Sequence, residues 1–436
     1  MTLRSNPPIG RAWTALLPLL IPGSIITWAL AGNRWSLWGV ESMEAKTPSA
    51  TSFADLSNIT ATADCLRAGT DYAICDPYGR PFQPYVVIPA RVLEALGLGT
   101  DNTGMLGWLL ALAFVLTLGF LGLALARLWR GSFAGLVAAQ FILALAAVTP
   151  PVMLAIERGQ IEIIGFTLAA VALVLLTTRS NLANAIGAVL GALAAWFKYF
   201  AIGLFAPFIS RSSLTRRSGI WAMGGLVLAI ALLTLSWNDI SQAASASRAD
   251  LPATSKSQFG ASALVATVLS DSPIGYAPTQ SVVDSWNSVR LAGLIATAIS
   301  VLIALALTRR PVSALSAAPE AITAFLLGSA GVLALPYVLG SSHDYRLIFL
   351  LIGLTAALAW VSHSRGAVRR LSVLITIAMV ITLITGASMV PAPNGFIWSK
   401  WALVLGDVCL LFVLATAAAI WLRRLVYRPT VVTTAS

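Results

Sequence analysis

The chain has 436 residues, of which 58% are hydrophobic and only 10% charged, with a mean hydropathy of +0.84. A soluble domain carries about 25% charge, so this composition excludes a soluble protein and points to a polytopic membrane protein. The net charge of +11 and pI near 10.1 fit basic cytoplasmic loops; no basic stretch accompanies a nucleic-acid fold signature, so no nucleic-acid partner is expected.

The first apolar run, Trp13 to Leu30, follows Arg4 and Arg11. Ala29-Leu30-Ala31 has the small-residue pattern of a signal cleavage site. The run is long enough to cross, however, and Trp28, Trp35 and Trp38 suit an outer interface. We read it as an uncleaved first span, which leaves the next loop outside. Further runs near the length of a span fall at 105–126, 132–149, 160–177, 218–236, 291–308, 320–340, 345–361, 370–389 and 399–422.

The run 184–209 differs, because Lys198 sits near its middle. Read as a hairpin that enters and leaves on one face, it sends Arg211, Arg216, Arg217, Arg309, Arg310, Arg365, Arg369, Arg370, Arg423, Arg424 and Arg428 inward, together with Arg4, Arg11, Arg127, Arg130 and Arg179, against the loop acid Glu320. Read as a single span, it would turn the arginines from Arg211 onward outward, against the positive-inside rule. The expected fold is therefore all-α: about ten full spans plus one broken, re-entrant hairpin at 184–209, in one integral membrane domain over 1–436. Each half of the hairpin, at about a dozen residues or roughly 18 Å, is too short to cross a core of about 30 Å. Both termini are expected in the cytoplasm.

Four outer segments follow: the first loop 33–104, Thr149–Gln160, the large loop 237–290 and Ser341–Arg346. In the first, 53–68 is expected to be helical with Asp55 near its start. A carboxylate there can take a proton from a sugar hydroxyl or simply cap a helix. Asp64, Asp71 and Asp76 are read as solvated loop acids. Cys65 and Cys75 stand ten residues apart on the oxidising side, where a disulfide or two free thiols would fit. Asp76 to Tyr85 is aromatic and proline-stiffened; its rings can stack on a sugar or shield a site, or the segment can lie on the bilayer interface. In the third loop, Ser257–Leu269 reads as an amphipathic surface helix.

Glu157, Arg158 and Gln160, with Glu162, open a span from outside. Ionisable groups at that depth need a polar cavity or each other. Gln160 can bind a hydroxyl. Lys198 at the hairpin tip needs an anion, either a lipid phosphate or a carboxylate such as Glu157 or Glu162. His343 and Arg346 suit a phosphate leaving group, and Asp344 can orient the imidazole; an interfacial cap is the alternative. His363 and Cys409 are read as structural, and Asp407 as bonded to a neighbouring helix.

Together these segments resemble the GT-C membrane glycosyltransferases, in particular the polyprenol-phosphate-mannose-dependent α-mannosyltransferases of actinobacterial envelopes and their uncharacterised bacterial relatives. The resemblance rests on Asp55 after the first span, Gly69-Thr70-Asp71-Tyr72 followed by Asp76 to Tyr85, Arg158-Gly159-Gln160-Ile161, Trp196-Phe197-Lys198-Tyr199-Phe200 and, more weakly, His343-Asp344-Tyr345-Arg346-Leu347. It departs at Gln83-Pro84-Tyr85, where relatives often carry Asn-Tyr-Pro.

The resemblance implies an inverting transfer of a hexose, mannose in the named family, from a polyprenyl-phosphate-sugar donor. The acceptor would be lipid- or glycan-linked and the reaction would run on the outer face of the cell membrane. Asp55 would be the general base, and Lys198, His343 and Arg346 would hold the donor phosphate. Arg80, Tyr85, Glu157, Arg158, Gln160 and Asp344 would line the substrate site. No Asp-x-Asp is present, so no metal or other cofactor is expected. Two rivals are a lipid-linked glycan polymerase or ligase, which usually relies on outer arginines and a histidine, and a lipid-linked sugar transporter or flippase. The latter would show inverted repeats and opposed broken helices, and only one broken hairpin is evident.

Overall fold

The structure, a computed structural model, describes residues 9–32, 53–70, 87–209, 217–238, 241, 258–269, 286–307, 320–339, 342–386 and 398–426. Among these residues the fold is helical apart from one two-residue strand pairing. Eight helices are long and apolar enough to cross a membrane, or nine when a bent pair is taken as one span. The chain is thus multi-pass, as its composition requires.

The first span, α1 (Gly10–Gly32), packs against α4 (Thr103–Leu128). Between them lie α2 (Ala54–Arg67) and α3 (Val87–Ala95), which pack on each other. Asp64 closes this segment onto the start of α4. It accepts from the Thr100 N–H at 2.8 Å and from the Thr100 hydroxyl, while Arg67 pairs with it at 2.9 Å and also donates to Leu98 O. A Cβ at Gly99 would overlap the Asp64 carboxylate. The hydrogen bonds from Thr100 and the charge of Arg67 hold the Asp64 carboxyl below the ordinary value of 3.8. Its stabilising bonds are therefore fully present above that value and fade as pH falls through the lower folded-state value. Asp64→Ala is expected to cost about 1 kcal/mol at neutral pH. Unfolding midpoints of both proteins should converge below the ordinary carboxylate range; a gap that persists there would remove the clamp from the account.

Two expected spans are shorter than a bilayer. The run 132–149 becomes α5 (Phe133–Ala146), bent by 51° into α6 (Pro150–Glu157). Thr149–Gln160 is therefore not an open outer loop. Pro150 and Pro151 sit in the first turn of α6, where a missing N–H is harmless, and Val152 to Ile156 are buried in the core. The run 160–177 becomes α7 (Glu162–Leu176), 15 residues long.

The apolar run 184–209 is broken at the lysine, but unequally. α8 (Asn181–Phe197) has 17 residues, about 25 Å of helix, and a 3₁₀ segment (Tyr199–Phe208) has 10. Lys198 between them is extended, at φ −145° and ψ 103°. The 3₁₀ segment packs on α8 and closely on α12 (Glu320–Leu339), because a Cβ at Gly203 would run into the Gly331 backbone.

The rest of the bundle comprises α9 (Arg217–Leu235), α11 (Trp286–Leu307), α13 (Leu350–His363), α14 (Gly366–Thr385) and α15 (Trp398–Val426). The expected surface helix of the large outer loop is α10 (Ala261–Leu269), whose Ala261, Ser262, Ala263, Ala266 and Thr267 are buried, with α11 and α15 as neighbours. It is preceded by β1 (Gln258–Phe259), which pairs antiparallel with β2 (Ser342–His343), Gln258 opposite His343. A 3₁₀ turn (Asp344–Phe349) then leads into α13.

Candidate functional site

The site is built where α2 meets the end of α6. The first N–H groups of a helix and the last carbonyls have no partners of their own; here each set satisfies the other. Phe53 N donates to Glu157 O at 2.7 Å, and Asp55 N and Leu56 N donate to Arg158 O at 3.0 and 3.2 Å. The two dipoles thus meet end to end in the favourable sense. Phe53 adopts the left-handed conformation at φ 75°, and its ring fills space that a Cβ at Gly107 would occupy.

Gly159 makes this junction fit. At φ 61° it ends α6, with Gly159 N bonded to Ile156 O and Gln160 N to Ala155 O, the two bonds of a Schellman cap. A Cβ there would stand 2.9 Å from Leu56 Cβ and 3.0 Å from Phe53 Cβ. The reversal aims Gln160 at Asp55, and the Gln160 amide donates to the Asp55 carboxylate. Gly159→Ala is expected to lose about 1–2 kcal/mol from the backbone alone, and more from the contact with α2. Thermal unfolding of the purified protein measures this, and an unchanged midpoint would show that the junction tolerates a side chain.

Asp55 occupies the first turn of α2, as expected, with 26% of its side chain exposed. Arg158 Nη1 lies 3.4 Å from its Oδ1, and Arg158 Nε lies 3.4 Å from Oε2 of buried Glu157. Burial raises the Asp55 pKa above its ordinary value; Arg158 opposes the rise and Glu162 reinforces it. Lys198 also acts on the Asp55 charge.

Behind this lies a second ionic group. Glu162, the first residue of α7, is wholly buried. Its Oε1 takes Lys198 Nζ at 2.9 Å and Arg346 Nε at 3.5 Å. The sequence left two partners for Lys198, a lipid phosphate and a carboxylate; in the structure the carboxylate is there. Lys198 is 2% exposed in its side chain, against 13% for Arg346. The Arg346 guanidinium also lies over the Phe200 ring, 5.2 Å from its centroid, a cation–π contact. Phe200, Phe349 and Phe166 then continue edge to face into the core, with centroids 5.9 and 6.1 Å apart, and Phe114 follows in a tilted contact at 5.7 Å. The charges rest on a stiff aromatic floor.

The structure thus brings together Asp55, Glu157, Arg158, Gln160, Lys198 and Arg346. Of His343 and Asp344 it describes the backbone alone, three and two residues before Arg346. Arg80 and Tyr85 lie outside the described residues. Cys65 is disulfide-bonded and Cys409 is free; Cys75, the remaining cysteine of the sequence, also lies outside the described residues. His363 is structural, with Nε2 donating to Leu128 O at 2.6 Å. The sequence marks Glu162 only as a counter-charge for one lysine; in the fold it joins two cations, Lys198 and Arg346.

A bundle of apolar helices with a buried ionic group beneath a partly open carboxylate defines a multi-pass membrane protein with a polar site. No family model, curated protein or solved structure matches the chain. The functional reading therefore rests on the site itself.

Proposed function

We propose that the chain is an inverting glycosyltransferase that moves a hexose from a polyprenyl-phosphate-sugar donor to a lipid- or glycan-linked acceptor at the outer face of the membrane. The observation that carries this reading is one partly open carboxylate, Asp55, held by Arg158 and close enough to the buried Glu162–Lys198 pair for both of its charges to act on it, with Arg346 the more open cation on the same Glu162. In the proposed step the acceptor oxygen bonds to the anomeric carbon from the face opposite the phosphate. The anomeric C–O bond breaks, its electron pair leaves with the lipid phosphate, and the hydroxyl proton passes to Asp55.

A phosphate already leaves well, so one base and nearby positive charge suffice; the paired carboxylates of glycosidases are not needed. Gln160 and Arg158 fix the carboxylate, and its raised pKa makes it a stronger base than an ordinary aspartate. Lys198, Arg346 and Glu162 carry a net charge of +1 between them, which suits a lipid phosphate at Arg346, the more open of the two cations. The resemblance to GT-C enzymes supports the same assignment. The test is sugar transfer by membranes containing the protein and radiolabelled polyprenyl-phosphate hexoses. Labelled product that depends on Asp55 supports the reading, and absence of transfer from every such donor and acceptor fraction sinks it.

A further inference from the structure

A second collection of positive charge lies at the other end of the bundle, away from Asp55 and Glu162. Three arginine-bearing segments meet there: the start of α1, the α4–α5 connection and the α13–α14 connection. The bonds that join them spend almost none of the positive charge. Arg11 Nη1 donates to Trp129 O at 3.4 Å, Arg130 N donates to Ser362 Oγ at 3.1 Å, and His363 Nε2 donates to Leu128 O. Arg127, Arg130, Arg365, Arg369 and Arg370 are all exposed, and among the described residues none of the five makes an ion pair. Glu320, at the start of α12, is the acid at this end among those residues.

We propose that this arginine face binds the phosphodiester headgroup of an anionic phospholipid. The occupant follows from what adjoins the charge. Phe133 and Leu374, beside Ser132 and one turn beyond Arg370, are 54% and 53% exposed, on helices that touch. Trp13, 64% exposed, stands next to the same face, as an aromatic at the headgroup level does. A ligand that meets arginines at its head and an apolar helix surface below must carry both a phosphate and acyl chains. Exposed guanidiniums suit the phosphate, because each presents several donors in a fixed fork. By the positive-inside rule this face is cytoplasmic, where anionic lipid attracts basic residues at about fivefold in affinity per arginine. The inference is independent of the proposed enzymatic activity.

Native mass spectrometry of the full chain in an equal mixture of phosphatidylglycerol and phosphatidylcholine tests it. The wild type is expected to retain phosphatidylglycerol preferentially. Arg369→Gln/Arg370→Gln should lower that preference by about 25-fold, and by less if only one guanidinium contacts each lipid. Raising salt from ~50 to ~500 mM should erode the wild-type preference, which decides the matter even if the variant fails to insert. Equal retention of both lipids by the wild type, or a preference indifferent to both the variant and salt, overturns the proposal. Displacement by millimolar glycerol 1-phosphate also overturns it, by reassigning the face to a soluble phosphate.

Discussion

Asp55→Asn is expected to lower sugar transfer by about 10²–10⁴-fold while leaving the protein folded. Asparagine keeps the size of the side chain and an oxygen for the Gln160 amide, but cannot take a proton. The expectation separates catalysis from structure through its sign. Asp55 has a raised pKa in the folded state. Such a group favours folding fully below its unfolded pKa and loses that contribution as pH rises through the folded value. At neutral pH the ionised carboxylate is therefore a burden on stability. Asp55→Asn should unfold no earlier than the wild type by more than about 1 kcal/mol, because Arg158 keeps Glu157 as a partner. In the active protein, kcat/KM should fall as pH drops through the raised value, at a pH above the ordinary aspartate range. A variant that loses activity and stability together would mark Asp55 as a structural cap. One that keeps full activity would remove it as the base.

Part of this site could be read from the sequence, because it depends on local signals. Lys198 in the middle of an apolar run announces a broken helix, since no unbroken span tolerates it without a partner, and the break falls at that residue. Asp55 in a first helical turn follows from the polar, helix-compatible stretch after it. Other parts were hidden for physical reasons. Thr149-Pro150-Pro151 looks like a turn, and the same residues begin a helix, where proline at the first positions is equally suited. That this helix lies in the core depends on what covers it, which no local pattern records. The choice of Glu162 over Glu157 as the anion for Lys198 is likewise a matter of three-dimensional packing. Both acids enter the same span region, and the turn at Gly159 between them sends one toward Arg158 and the other toward Lys198.

Glu162→Gln is expected to be the most destabilising single change at the site, at about 3–5 kcal/mol, because it removes the carboxylate that lies 2.9 Å from the buried Lys198 ammonium and neutralises it. Lys198→Met should cost less, because Glu162 would still have Arg346 at 3.5 Å. The double variant Glu162→Gln/Lys198→Met removes both charges and keeps the volume, so it should recover much of the loss. The coupling energy is then expected to exceed about 1 kcal/mol, measured by chemical unfolding in detergent or by protease resistance if unfolding is irreversible. Additive losses would mean that Glu162 and Lys198 stabilise the fold separately. The same variants divide structure from chemistry. If Glu162 serves only to neutralise Lys198 and the lysine takes no part in holding the donor, the double variant regains transfer along with stability. If Lys198 itself holds the donor phosphate, or if Glu162 sets the position of Arg346 over Phe200, the double variant stays impaired, with a raised KM for the polyprenyl-phosphate donor; Lys198→Met alone, which leaves Glu162 on Arg346, separates the two.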